Sequence, residues 1–286
     1  DKVVDRMRQI VAVNAQTGPV FTTHKPDIGL SAVTAEVVYG DAAYKIVGEG
    51  GVVHTLWVVT DKQIIDRITE GFERLGTIYI ADGHHRSAAA YRVATERKKV
   101  NAAHTGLEPY NTFLVASFPE PEVQILDYNR VVKDLNGLSL PKLINQIEGS
   151  FEVDISHSPA KAKCARSFGM YVAGDWYVLR YKGEPDTTNT LRDDLDVSIL
   201  TANILSPLLG IGDPRTDARI DYVGGIRGMT ELEKRVDTND WAVAFSLFPV
   251  SMSQLMDVAD AAEIMPPKTT WFEPKLADGL VSLVLD

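Results

Sequence analysis

The chain has 286 residues, 45% hydrophobic and 24% charged, with a formal net charge of −10. This is the composition of a globular protein long enough for one large domain or two ordinary ones, and no apolar run reaches the length of a membrane span. The acidic balance argues against nucleic acid as the main partner, since backbone contacts need clustered Lys and Arg, but a small anion can still sit in a local basic pocket.

In chain order, Val3, Val4, Met7, Ile10 and Val11 stand at helical spacing and predict a helix over 1–13. No signal peptide is visible there. A polar loop at 14–18 and a strand at 19–23 follow. Asn14, Gln16 and Thr17 in that loop can hydrogen-bond a ligand or satisfy the turn's own backbone. Residues 28–38 read as a helix, 39–51 as mixed chain and 53–60 as a strand. Asp61 is placed to cap a helix over 61–74. Further on, a strand at 112–118 reads as buried on both faces, and another follows at 123–127. Strand and helix alternate through this region, an α/β pattern.

At its centre lies Thr77-Ile78-Tyr79-Ile80-Ala81-Asp82-Gly83-His84-His85-Arg86-Ser87. It opens as a short buried strand, breaks at the Asp82-Gly83 turn pair and runs into a strong helix former ending near Lys99. That places His84, His85 and Arg86 at a helix start, where free N–H groups and a partial positive charge attract phosphate. Gly83 lets a ligand approach the backbone. Arg86 supplies a planar fork for phosphate oxygens. Asp82 ends the strand where it can hold a metal or accept a proton. The plainer alternative is a turn and cap, with His84 capping the helix and Arg86 paired with a surface carboxylate. A shared metal on the histidine pair is disfavoured, because adjacent side chains point in different directions. The chain carries neither G-x-x-x-x-G-K-[ST] nor G-x-G-x-x-G, against a P-loop kinase, a protein kinase or a Rossmann dehydrogenase. A nucleotide must then be held differently, and residues 82–87 are the candidate.

The pattern changes near Asn129 and Arg130, which read as a domain-joining turn and set a boundary near residue 130. Beyond it come a helix over 140–149, a strand at 151–155 and a hairpin of 168–172 with 176–181. Cys164, the only cysteine, excludes an internal disulfide framework, fits a reducing cytoplasm and reads as a small buried hydrophobe. A polar loop at 184–189 precedes an apolar helix over 196–209 with Asp196 as its cap. Asp193, Asp194 and Asp196 read as carboxylates stabilised by a helix N-terminus rather than as a metal cluster. A strand at 219–223 leads to the 224–228 glycines and Arg227, either a second anion nest or a tight turn. Thr230 and Glu233 have capping-box spacing and predict a helix start. A strand at 241–248, a helix at 251–262, a Pro-stiffened loop at 265–272 and a strand at 280–285 complete the chain.

YIADGHHR resembles the signature of a large family first catalogued as a domain of unknown function, related to SerK-type free-serine kinases within the ParB/sulfiredoxin superfamily. NAQTGPVF, DYNRVVKDLNGLS, DYVGGIRGM and MPPKTTWFEPKL resemble further blocks of that family, in order along most of the chain. The resemblance implies a two-part α/β (α+β) protein. Residues 1–130 would be a ParB/sulfiredoxin-like nucleotide-binding domain, its N-terminal part missing, and 131–286 a mixed α+β C-terminal domain. It implies a cytoplasmic kinase passing a phosphoryl group from ATP or ADP, with Mg²⁺, to free L-serine. Gly83, His84, His85, Arg86 and Ser87 would form the phosphate cradle, Asp82 would orient His84 or hold Mg²⁺, and Asn14, Gln16 and Thr17 would assist binding. The carboxylate that takes the serine proton would lie upstream of Asp1. Two alternatives stay open: a ParB-like nucleotide-hydrolysing switch, which should carry a basic DNA-binding segment, and a noncatalytic ligand-binding protein.

Overall fold

A computed structural model of the chain describes residues 2–184, 190–238 and 240–286. The elements in order are α1 (Lys2–Val13), β1 (Ala15–Gln16), β2 (Val20–His24), α2 (Ile28–Tyr39), β3 (Tyr44–Val47), β4 (Val53–Leu56), α3 (Lys62–Leu75), β5 (Tyr79–Asp82), α4 (His84–Val100) and β6 (Val115–Pro119). Then come β7 (Gln124–Leu126), β8 (Tyr128–Val132), α5 (Leu140–Ile147), β9 (Phe151–Ser156), β10 (Ser167–Val172), β11 (Asp175–Tyr181) and α6 (Asp196–Leu200). The last are β12 (Ile220–Gly224), α7 (Gly228–Asp237), β13 (Val243–Ser246), α8 (Met252–Asp260), β14 (Trp271–Glu273) and β15 (Leu283–Val284). The fold is α+β, in two compact units: residues 1–123 with 274–286, and residues 124–273.

The first unit is built on β2, the middle strand of a three-stranded sheet. It runs antiparallel to β5 and parallel to β6. All five β2 residues are buried, including Thr22 and Thr23, whose hydroxyls have no hydrogen-bond partner among the described residues. β6 is shorter than the strand predicted at 112–118 and only half-buried, because it is the edge of this sheet. The strand predicted at 53–60 likewise stops at Leu56. Asp61 caps α3 as predicted, accepting from the Gln63 and Ile64 N–H groups. The apolar face of α1 packs on α4 through Ile10, Ala89 and Val93, a cluster completed by Tyr110 and Leu285. β15 pairs with β1 and ties the C-terminal segment into this unit.

The second unit carries a six-stranded antiparallel sheet, ordered β12-β8-β13-β10-β11-β9. Residue 130 lies inside β8, next to the centre of this sheet, so Asn129 and Arg130 form strand rather than a joining turn. Alternation along β10 sends Phe168 and Met170 to one face and Tyr171 to the other. The first face packs with α5 and α6 through Leu143, Ile147 and Leu200. The second packs with α7 through Leu232 and Val236. The predicted hairpin forms, with Ala173 (φ 52°) and Gly174 (φ 88°) as its two-residue loop. That left-handed pair suits the twist of the flanking strands.

Several local expectations fail here. Asp196 is not the cap of its helix: Leu195 is, and the Asp196 carboxylate accepts from the Arg166 N–H at 2.8 Å instead. Thr230 and Glu233 form no capping box, because α7 starts two residues earlier, after the short turn at Gly225–Arg227. The capping box occurs instead at Ser251 and Gln254, opening α8. Cys164 is exposed, not buried. Most of the polar loop expected at 184–189 lies outside the described residues.

Candidate functional site

β5 ends at Asp82, paired with Phe21 of β2, and Gly83 turns the chain directly into α4. Gly83 has φ 96° and ψ 19°, and a Cβ there would stand 3.2 Å from the Val20 Cα, so both conformation and space require glycine. One Asp82 carboxylate oxygen folds back to accept the Gly83 N–H at 2.8 Å. The Arg86 and Ser87 N–H groups both donate to the Gly83 carbonyl, at 2.8 and 3.0 Å. No side chain caps the helix. The backbone N–H groups of His84 and His85 therefore have no hydrogen-bond partner among the described residues, and both imidazoles are exposed beside them. The Ser87 hydroxyl donates to the His84 carbonyl at 3.1 Å. Two free donors at the positive end of a 17-residue helix are what an anion needs.

The Arg86 side chain takes a different direction. Its Nη1 donates to the Pro19 carbonyl and stands 3.5 Å from Asp278, an exposed carboxylate. Arg86 lines a small pocket of about 80 Å³ together with Gln16, Thr17, Arg6 and Asp278. That volume is well below the range of ordinary small-molecule pockets.

The predicted site residues thus fall into three groups. Asp82, Gly83, His84, His85 and Ser87 share the turn. Gln16, Thr17 and Arg86 share the small pocket, but the buried Gln16 amide is occupied: it donates to the Thr112 carbonyl and accepts from the Leu114 N–H, each at 2.9 Å. The Thr17 carbonyl accepts from the Gly279 N–H at 2.7 Å. Asn14 stands apart, in a left-handed conformation at φ 53°. Its amide accepts from Arg97 and donates to Asp286, tying down the end of the chain.

Arg6 and Asp278 were not among the predicted residues. They lie 80 and 192 positions from Arg86, so no local spacing could associate them. Among the described residues, no group of three or more His, Cys, Asp or Glu side chains could hold a metal. No described helix is long and apolar enough to cross a membrane.

A family model described as "Protein of unknown function (DUF1015)" matches residues 1–198. The chain belongs to this family. The matched stretch contains NAQTGPVF, YIADGHHR and DYNRVVKDLNGLS, so the turn just described lies inside it. A search of curated proteins finds no match. Among solved structures, the chain is similar to a free serine kinase in complex with AMP, with 11% identity over 95% of this chain and 79% of that one and a TM-score of 0.41. It is similar to SbnI with a C-terminal truncation from Staphylococcus aureus, at 11% identity over 98% and 78% with a TM-score of 0.48. A conserved hypothetical protein from Pyrococcus furiosus is 12% identical over 97% and 85%, with a TM-score of 0.39.

Proposed function

We propose that the protein is a small-molecule kinase that moves a phosphoryl group from ATP or ADP to the hydroxyl of free L-serine, giving O-phospho-L-serine. The observation that carries this reading is the turn at Gly83, which opens a long helix with two unpartnered N–H groups in a chain that has no P-loop. Membership of DUF1015 and the resemblance of YIADGHHR to free-serine kinases support it.

The geometry supports the following roles. The His84 and His85 N–H groups donate to phosphate oxygens, and the two exposed imidazoles add donors at the same edge. Arg86 is held in place by the Pro19 carbonyl, while its pairing with exposed Asp278 is weak enough to be exchanged for an incoming phosphate. Asp82 has one carboxylate oxygen engaged by the Gly83 N–H, and the other is left for a cation. Mg²⁺ commonly takes one or two carboxylates and completes its shell with phosphates and water, so Asp82 fits without an all-protein cage. When bound, the ion would neutralise charge on the phosphate oxygens.

The test is ³¹P NMR of the protein incubated with L-serine, Mg²⁺ and, in separate tubes, ATP, ADP and CTP. O-phospho-L-serine with ATP or ADP is the expected product. Release of inorganic phosphate from CTP alone would favour the switch reading, and no turnover of any nucleotide would favour a noncatalytic binder.

A further inference from the structure

The second unit contains a cavity of about 430 Å³, within the range of small-molecule sites. Arg130 forms part of its wall although the residue is only 2% exposed. The guanidinium donates to the Tyr128 carbonyl and, at 3.0 Å, to the Lys268 carbonyl, and it lies 5.5 Å from the Tyr222 ring centroid. No carboxylate among the described residues lies within ion-pair distance of it. Burial pulls its pKa down to about 10, against the nearby Tyr222 and Tyr128, so it remains a cation at neutral pH. Buried charges are ordinarily paired, and one left without a counter-ion is costly. Two carbonyls and a ring satisfy only part of a group that has five N–H donors.

A second observation concerns the backbone of the same wall. After α6 the helix widens over Thr201–Leu205: the Ser206 N–H donates to the Thr201 carbonyl at 3.0 Å, and the Leu209 N–H to the Ile204 carbonyl at 3.1 Å. Turns with this five-residue step are rare and concentrate at functional sites, because they displace backbone and re-aim side chains. Thr201, Ala202 and Leu205 of this segment all line the cavity. The lining also includes apolar Val197 and Ile220 and exposed Arg192 and Arg215. Two carboxylates are present, Asp193 and Asp213, and the latter is engaged by the Arg215 backbone N–H at 2.9 Å.

We propose that this cavity binds a small organic anion, a carboxylate or phosphate monoester on an apolar body, with its acidic group on Arg130. The site shares no residue with the turn at Gly83 and does not depend on the kinase reading.

Calorimetry on the whole chain tests it with three probes: phenyl phosphate, phenylacetate and inorganic phosphate. At least one of the two aromatic anions should bind with a Kd below about 1 mM, and the tighter of them identifies the acidic group. Inorganic phosphate, lacking an apolar body, should bind at least about tenfold more weakly. Arg130→Gln should abolish binding. Because that change also replaces a buried strand residue, Ala202→Trp provides an independent arm: it adds bulk at an exposed lining residue and leaves Arg130 itself unchanged. It should raise the Kd at least about tenfold while the melting temperature stays at the wild-type value. Absence of binding by both aromatic anions would overturn the proposal. So would unchanged affinity in Ala202→Trp.

Discussion

The two units place their chemistry differently. In the first, the candidate site is centred on backbone: a left-handed glycine and two free N–H groups, with the Asp82 carboxylate folded onto the same turn. In the second, it is made of side chains that arrive from β8, the widened helix and β12 around one cavity. The packing differs in parallel. The second unit has a continuous core on one face of a six-stranded sheet and a smaller one on the other. Among the described residues, the first has a three-stranded sheet, the two-stranded sheets β3–β4 and β1–β15, a cluster between α1 and α4, and Leu30 and Val33 of α2 buried as well. A backbone site needs only one strand, one turn and one helix held in register, whereas a site of converging side chains needs a deep core around it.

The largest effect should come from attacking that difference in packing. Phe245 is fully buried in β13, between Arg130 on β8 and Met170 on β10. Phe245→Ala should cost about 3–5 kcal/mol by leaving a cavity that cannot collapse. Val93→Ala, in the α1–α4 cluster, should cost about 2 kcal/mol for the methyl groups removed. Hydrogen exchange of β13 and α4 amides reads the two units separately. Equal losses would mean that the first unit is as deeply packed as the second.

Next in size is Arg86. Arg86→Ala should lower phosphoryl transfer by roughly 100- to 1,000-fold, or about 3–4 kcal/mol of transition-state stabilisation. Its ion pair with Asp278 is exposed and should contribute no more than about 1 kcal/mol to stability. Arg86→Lys should stay strongly impaired, because the ammonium keeps the charge and loses the fork. Turnover and melting temperature of the three proteins check this. Unchanged turnover in the Ala variant would reduce Arg86 to the surface ion pair it makes with Asp278.

The smallest of the three is a pH effect confined to the second unit. Burial raises the Asp196 carboxyl to about 6 from an ordinary 3.8, against the opposing Arg166 N–H bond and the Arg166 charge. The folded state then holds this proton more tightly than the unfolded chain does. The contribution is fully present below about pH 4 and lost as pH rises through about 6, by up to roughly 3 kcal/mol. Asp196→Asn keeps an acceptor for the Arg166 N–H and removes the titration. Urea midpoints from pH 4 to 7 should fall in the wild type relative to the variant, and parallel curves would contradict the assignment.

The same contrast explains what the sequence made legible. The turn at Gly83 could be read because its strand, its Asp-Gly pair and its helix are contiguous, and each has a local signal. The hairpin at Ala173 and Gly174 and the cap at Asp61 could be read for the same reason. Arg130 reads from the sequence as part of a joining turn, because burial of a charge in the middle of a sheet leaves no trace in local pattern. Asp196 reads from the sequence as a cap because its partner, Arg166, lies thirty residues earlier. The direction taken by Arg86 depends on Pro19 and Asp278, which no spacing rule links to it.

The central claim is that phosphate sits on the first turn of α4. It is tested most directly by backbone amide NMR of the protein titrated with ADP and Mg²⁺. The largest shifts should fall on the amides of His84 and His85, with smaller ones on Gly83, Arg86 and Ser87. Saturable ADP binding that leaves those amides unmoved, with the largest shifts elsewhere in the chain, would contradict it.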